Sequence, residues 1–558
     1  MSEATAPRES ATEPRPAKIR FDCPLHPVFF ATYPLLSMYV ENLDQVPFTQ
    51  IATSLIKSMI ATVVIWAVLL FLLRSVRKSA VGASSSIFAI YCYRHLTNLV
   101  PQQYLPAIVA IEIVAVILVL AALFKTRQPL RDITATLNLA GGFLVAWPGI
   151  VIGIGFWRAL RPDEHIADRL PFLTQEGRDA ARRHSSRIRG PVTAATADLP
   201  DVYYIILDAY GRADSLKMFY GYDNTPFIKA LESRGFYVAD KSRANYNWTA
   251  LCLPSALNFT YLDELAQKTG PVCPNEPFRR MLDDNRVAAS LSKFGYKYVY
   301  IPSWSRSEEV ITADVVLNKQ IDIPLIESDL VNLDALRPNS PLRLHKYDLH
   351  RNCLIGAFDS LDSVGRLPDK KFVFAHVLAP HPPFVLGPNG EPKYPLGPWN
   401  TADASYLMRV ITPKQYITGY IEQLRYINKR TIQAIDAILS QSKRPPIIIV
   451  QGDHGSRMKL DSFDLAKTDA REPFSILNAY YVPKKVRAHL YPTISPVNTF
   501  RILLNDVFDA HYDLLPDRSY YSTTREVCKF TDVTPLTAMP AESDTVKEIP
   551  APPDGPKR

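Results

Sequence analysis

The sequence predicts an N-terminal α-helical transmembrane bundle followed by an α/β domain, with a mostly parallel central sheet covered by helices on both faces. Three observations carry this. Apolar residues crowd into 27–157 although the mean hydropathy of the chain is near zero. Beyond residue 200, short runs rich in Val, Ile, Phe and Tyr alternate with longer helical patterns. Acids and histidines stand at the ends of those short runs, where open α/β sheets keep their ligands. With 558 residues, more than one domain is expected. The expected organisation is a polar cytoplasmic tail (1–26), a membrane region of about five helices (27–158), an Arg-rich connector (159–200), the α/β domain (201–529) and a tail (530–558). The last segment is rich in Pro, Ala and acids and is expected to be disordered.

Composition excludes some roles. The formal charge of +8 is spread along the chain, and no basic stretch carries interleaved aromatics, so nucleic acid is not an expected partner. Membrane lipids are, since an anionic lipid surface suits the excess of Lys and Arg. The six cysteines contain no CxxC pair, which argues against a cysteine zinc site. If the α/β domain lies outside the membrane, Cys252 with Cys273, or Cys353 with Cys528, could pair. The first 20 residues lack an apolar core, so the membrane helices must direct targeting. Nothing in the chain indicates an oligomeric state.

Four stretches read as spans, roughly 50–73, 79–98, 104–124 and 133–157, and a shorter one at 27–43 contains a proline. Basic residues before 27 and after 73 and 124 alternate with loops poor in Lys and Arg. The positive-inside rule then places the N-terminus in the cytoplasm, counts five spans, and puts everything after 158 on the extracytoplasmic side of the plasma membrane. Arg94 and His95, at the end of the weakest span, are expected to snorkel to the interface.

In the soluble part, Val202–Leu207, Tyr298–Ile301, Phe372–Leu378 and Ile447–Val450 read as buried strands, with helices near 223–235, 276–294 and 413–442. The first strand ends in Asp208, and an acid at a buried strand tip needs a positive partner. The strand near 447 runs into Gly452-Asp453-His454-Gly455, and the flanking glycines suit a tight turn and the approach of a ligand. Asp208, Asp453 and His454 form an O/O/N donor set suited to a divalent metal, zinc or manganese before calcium or magnesium. The strand near 372 leads to His381 in a Pro-rich loop, while His376 inside that strand reads as a satisfied core histidine. Thr249 stands at a helix start, where the dipole favours an anion. Asn245 is a candidate substrate-binding residue and Cys252 a buried or disulfide cysteine, while Arg457 and Lys459 could hold an anionic group but read first as solvated surface.

These motifs, in this order, resemble the sulfatase and alkaline phosphatase superfamily over residues 201–510. The likeness is greatest to its membrane-anchored branch with a threonine nucleophile, which includes lipoteichoic-acid synthases and lipid phosphoethanolamine transferases. Asp208, continuing to Tyr220-Gly221-Tyr222 and Asn224-Thr225-Pro226, resembles the first metal motif. Thr249-Ala250 with Pro254 resembles the nucleophile motif, and Asp453-His454-Gly455 the second metal motif. His381 sits where the family has a histidine that contacts the substrate phosphate or sulfate. The resemblance implies a metal held by Asp208, Thr249, Asp453 and His454, and displacement at a phospho(di)ester of a lipid head group. Cys252-Leu253-Pro254-Ser255 also looks like the start of the sulfatase formylglycine signature, but Ala256 stands where that signature has Arg. A sulfate-ester hydrolase using modified Cys252, or a membrane scaffold without catalysis, are the alternatives. No histidine occurs between His454 and His489, where the transferases usually have one, so hydrolase and transferase both stay open.

Overall fold

The computed structural model describes residues 23–41, 48–99, 105–160, 199–303, 310, 312–318, 341–394, 404–408 and 411–540. The tail before 23 and most of the connector lie outside these residues, as do the side chains of Arg94 and His95. The chain divides into two compact units, a helical one up to Trp157 and one holding most of the remainder.

The helical unit contains α1 (His26–Glu41), α2 (Phe48–Leu73), α3 (Val76–Leu99), α4 (Leu105–Lys125) and α5 (Arg131–Leu160). Among the described residues, three stretches are long and apolar enough to cross a bilayer: Ser54–Leu73, Ala107–Lys125 and Arg131–Ile154. α1, at 16 residues, is about 24 Å long. The weak apolarity of α3 has a packing reason. α3 packs against α1, α2 and α4, and it buries Ser79, Ala80, Ala83 and Ser84 rather than showing them to lipid. Gly82 lets the Leu120 and Leu69 side chains close on it. By contrast, Phe71, Phe124 and Trp147 on α2, α4 and α5 are exposed apolar side chains of the kind lipid covers.

The second unit is built on β1 (Val202–Leu207), β2 (Tyr237–Val238), β3 (Lys297–Ile301), β4 (Val315–Val316), β5 (Lys371–Val377), β6 (Ile447–Gln451) and β7 (Asn478–Tyr481). Their spatial order is β2-β7-β6-β1-β5-β3-β4. The run β6-β1-β5-β3-β4 is parallel, and β7 and β2 add antiparallel pairings at one edge. All six residues of β1 are buried, as a parallel strand covered on both faces requires. Alternation divides them. Tyr203, Ile205 and Leu207 pack against Leu354, Phe358, Leu424 and Ile435 from the helices Pro341–Ser363 and Pro413–Gln441. Val202, Tyr204 and Ile206 pack on the other face with Leu253, Leu257, Phe500 and Leu503, from the helices Thr249–Leu257 and Pro496–Phe508.

Three expectations need correction. The helix expected over 276–294 breaks at Asp284, and Asn285 caps a second helix, Arg286–Ser292. Residues just after 530 are folded, not disordered: Thr531–Asp532 pairs with Tyr520–Tyr521, and Val533 is fully buried. The disulfide joins Cys273 to Cys528, their Cα atoms 5.8 Å apart, which is neither expected pairing. Cys252 and Cys353 are free and buried.

Candidate active site

Parallel pairing sets the tips of β1, β5 and β6 side by side. Ile206 is in register with His376 on one side and Gln451 on the other, so Asp208 and Asp453 leave the sheet at the same edge. Two backbone features bring them closer. Ala209 adopts a left-handed φ of 62°, costly for a residue with a Cβ, and its N–H donates to Asp453 Oδ1 at 3.1 Å. The Tyr420 hydroxyl secures that bend by donating to the Ala209 carbonyl at 2.8 Å. A Cβ on Gly452 would stand 2.6 Å from the Tyr210 carbonyl, and one on Gly455 2.2 Å from the Glu472 carbonyl. The two glycines therefore admit the chain's own backbone, not a ligand as expected.

The resulting cluster is closed to water. Asp208, Asp453 and His454 are each at most 2% exposed. His454 Nε2 lies 3.6 Å from Asp208 Oδ1 and 3.3 Å from Asp453 Oδ2. His454 Nδ1 faces the Gly455 carbonyl at 2.8 Å, so Nδ1 carries the proton and Nε2 presents its lone pair. That lone pair meets the Thr249 hydroxyl at 2.9 Å. Thr249 opens its helix, and Trp248 supplies no side-chain cap, which leaves the helix start suited to an anion.

His376, buried as expected of a core histidine, also reaches the cluster. Its Nε2 lies 3.1 Å from Asp208 Oδ2, and with Asp208 and Asp453 it forms a buried group able to hold an ion. Phe372, Phe374 and His376 alternate along one face of β5, the face covered by the Thr249 helix. That period-two pattern was the available signal.

The electrostatics define what is missing from the cluster. Burial works to raise the Asp208 pKa, but His381, His376 and His454 together hold it below the usual carboxylate range. Burial and then the Asp208 charge push Asp453 up to about 7. Asp208 Oδ1 and Asp453 Oδ2 are buried without a hydrogen-bond partner. A cation between them answers both facts, and the O/O/N donors fit zinc or manganese.

His381 is 5% exposed and reaches the same pocket through the loop after β5. Its Nδ1 lies 2.6 Å from the Pro382 carbonyl and its Nε2 3.3 Å from Arg457 Nη2. Arg457 is therefore not solvated surface, as expected, but 5% exposed. It donates to the Asn247 carbonyl and lies over the Trp248 ring, 5.2 Å from its centre. Asn245 faces elsewhere. Its amide donates to Ser495 Oγ and the Arg518 carbonyl and accepts from Val497 N, so it joins its loop to the start of the helix Pro496–Phe508. These contacts are those of a framework residue.

This sheet-edge arrangement belongs to a known class. The family model for sulfatases matches residues 200–496, more than half of the chain, and the chain belongs to that family. Among solved structures it is similar to the integral membrane lipooligosaccharide phosphoethanolamine transferase A from Neisseria meningitidis, at 13% identity and a TM-score of 0.38, covering 87% of this chain and 94% of that one. It is also similar to the zinc complex of the C-terminal periplasmic domain of EptC from Escherichia coli, at 11% identity and a TM-score of 0.38, covering 62% and 96%. The corresponding domain of phosphoethanolamine transferase EptC from Campylobacter jejuni gives 14%, 0.36, 59% and 94%. No curated protein matches the chain.

Proposed function

We propose that this protein is a membrane-anchored, metal-dependent enzyme that displaces at phosphorus through Thr249 and moves a phospho(di)ester head group of a membrane lipid. The observation that carries it is the Thr249 hydroxyl, 2.9 Å from His454 Nε2 and beside two carboxylates with unmatched buried oxygens. Asp208, Asp453, His454 and Thr249, joined by His376, would hold the ion. When bound, such an ion lowers the pKa of the nucleophile and offsets charge on nonbridging oxygens.

The chain's own groups supply the rest. The Gly455 carbonyl, accepting from His454 Nδ1, keeps Nε2 free to hold the ion, and the proton of the half-buried Thr249 hydroxyl passes to solvent water as it ionises. Thr249 Oγ1 forms a bond to phosphorus as the ester P–O bond breaks, and the leaving alkoxide takes a proton from water. Water, or a glycan or lipid hydroxyl, then attacks the phosphothreonine and frees Thr249. The closed pocket strengthens every charge interaction within it.

Cys252 supports this choice over sulfate-ester hydrolysis through a modified cysteine. It is 4% exposed, one turn beyond Thr249, and its thiol donates to the Tyr246 carbonyl at 3.1 Å. Burial, with the nearby Asp453 charge, raises its pKa and leaves an unreactive thiol. A disulfide between residues 255 apart supports an extracytoplasmic domain.

The test is Thr249→Ala in the full-length protein, assayed with head-group-labelled phospholipids. Turnover should fall by about 10³-fold or more with the metal retained. Full turnover would end the assignment. Mass spectrometry should find trapped phosphate on the Thr249 peptide; formylglycine at position 252 would favour the alternative.

A further inference from the structure

We infer that Arg457 recognises the negative charge of the substrate's phosphoryl centre, and that Glu472 is the positioning residue that holds Arg457 there. This rests on the displacement at Thr249 proposed above and deepens it by naming the cation and the substrate's charge class.

The first support is the pair His381–Arg457. A guanidinium has donors only, so His381 Nε2 must accept from Arg457 Nη2. His381 Nδ1 then carries the single ring proton and donates it to the Pro382 carbonyl. A ring used this way has no donor left for a phosphoryl oxygen. The donor facing the pocket is Arg457, and His381 orients it.

The second support is charge. Arg457 is buried, and among the described residues its partners are the Asn247 carbonyl, the His381 ring and the Trp248 face, all neutral. A buried cation with neutral partners alone is costly until an anion joins it. Two of those partners flank the helix start that carries Thr249, where an anion is also favoured.

The third support is the device that keeps Arg457 in place. Its backbone sits at a left-handed φ of 62°. Glu472, fully buried, fixes the loop on both sides of that bend. Its Oε1 accepts from the Ser456 hydroxyl, from Met458 N at 2.9 Å and from the Tyr220 hydroxyl at 3.0 Å, and its Oε2 from Lys459 N at 3.2 Å. The residues before and after Arg457 are thus tied to one carboxylate, while the Arg457 guanidinium itself is left against Asn247, Trp248 and His381. The substrate class that follows is an ester with an anionic nonbridging oxygen, a phosphodiester rather than a neutral ester.

The experiment uses full-length, metal-loaded protein in detergent, with inorganic phosphate as the binding probe and bis(p-nitrophenyl) phosphate as the turnover substrate. Arg457→Gln should weaken phosphate binding and raise KM by about 10- to 100-fold, the worth of a charge-assisted hydrogen bond in a closed site. Arg457→Lys should recover part of the loss, and both should keep the wild-type metal content. Glu472→Gln, or the milder Ser456→Ala, should raise KM by a smaller factor, again with metal retained. No phosphate binding by the wild type overturns the inference. So does equal phosphate affinity in wild type and Arg457→Gln, or loss of the metal along with Arg457. The Thr249→Ala protein separates the two proposals: if it keeps turnover, the nucleophile assignment fails while the phosphate affinities still report on Arg457.

Discussion

Two buried carboxylates close in sequence, Glu472 and Asp453, meet burial in opposite ways. Burial raises the pKa of both. Around Glu472 the chain supplies two backbone N–H groups and two hydroxyls, so the charge is solvated by the fold itself. Around Asp453 it supplies one N–H, from Ala209, and leaves Oδ2 without a hydrogen bond in sight of a second carboxylate. A charge the fold satisfies belongs to the frame. A charge the fold closes in and leaves unmatched marks where a ligand's charge belongs.

The sharpest way to break this contrast is Asp453→Asn. Turnover should fall by about 10³-fold or more, and bound metal should be lost. The metal-free variant should be at least as stable as the metal-free wild type, because a buried charge facing Asp208 has been removed. A melting temperature well below wild type would make Asp453 a frame residue like Glu472.

A pH series gives a smaller effect with a defined sign. The folded pKa of Asp453 is raised from 3.8 to about 7, so the metal-free folded state holds a proton there that the unfolded chain has lost. The contribution of this group to stability is present at low pH and is lost as pH rises from about 4 to about 7. Metal binding requires the ionised form. The gap in melting temperature between metal-loaded and metal-stripped protein should therefore widen from about pH 5 to about pH 8. A gap that narrows would place the cation elsewhere.

Asn245→Ala should have the smallest effect on chemistry. It removes the tie between its loop and the helix Pro496–Phe508, for a loss of about 1–3 kcal/mol of stability, with KM unchanged. A raised KM at unchanged stability would return Asn245 to the substrate.

Much of this site was legible in the chain. The tips of β1 and β6, with Asp208, Asp453 and His454, and the helix start at Thr249, follow from local apolar runs and their endings. His376 was not, because its role depends on which face of β5 meets the Thr249 helix. Arg457 was legible only as a candidate anion holder against the commoner solvated reading, because a lone arginine in a polar loop reads as solvated until Glu472, from the short helix Arg471–Phe474, ties that loop inward. The pairing of Cys273 with Cys528 depends likewise on packing between segments 255 residues apart.

By itself, then, the order of residues determined the alternation of strands and helices, the apolar spans, and which acids and hydroxyls stand at element ends. These are short-range matters of periodicity, propensity and capping. Only the tertiary structure decided which tips are neighbours, which buried polar atoms find a partner and which do not. Parallel pairing and burial join residues hundreds of positions apart, and no local pattern encodes the partner of a charge that is satisfied, or left unsatisfied, from across the sheet.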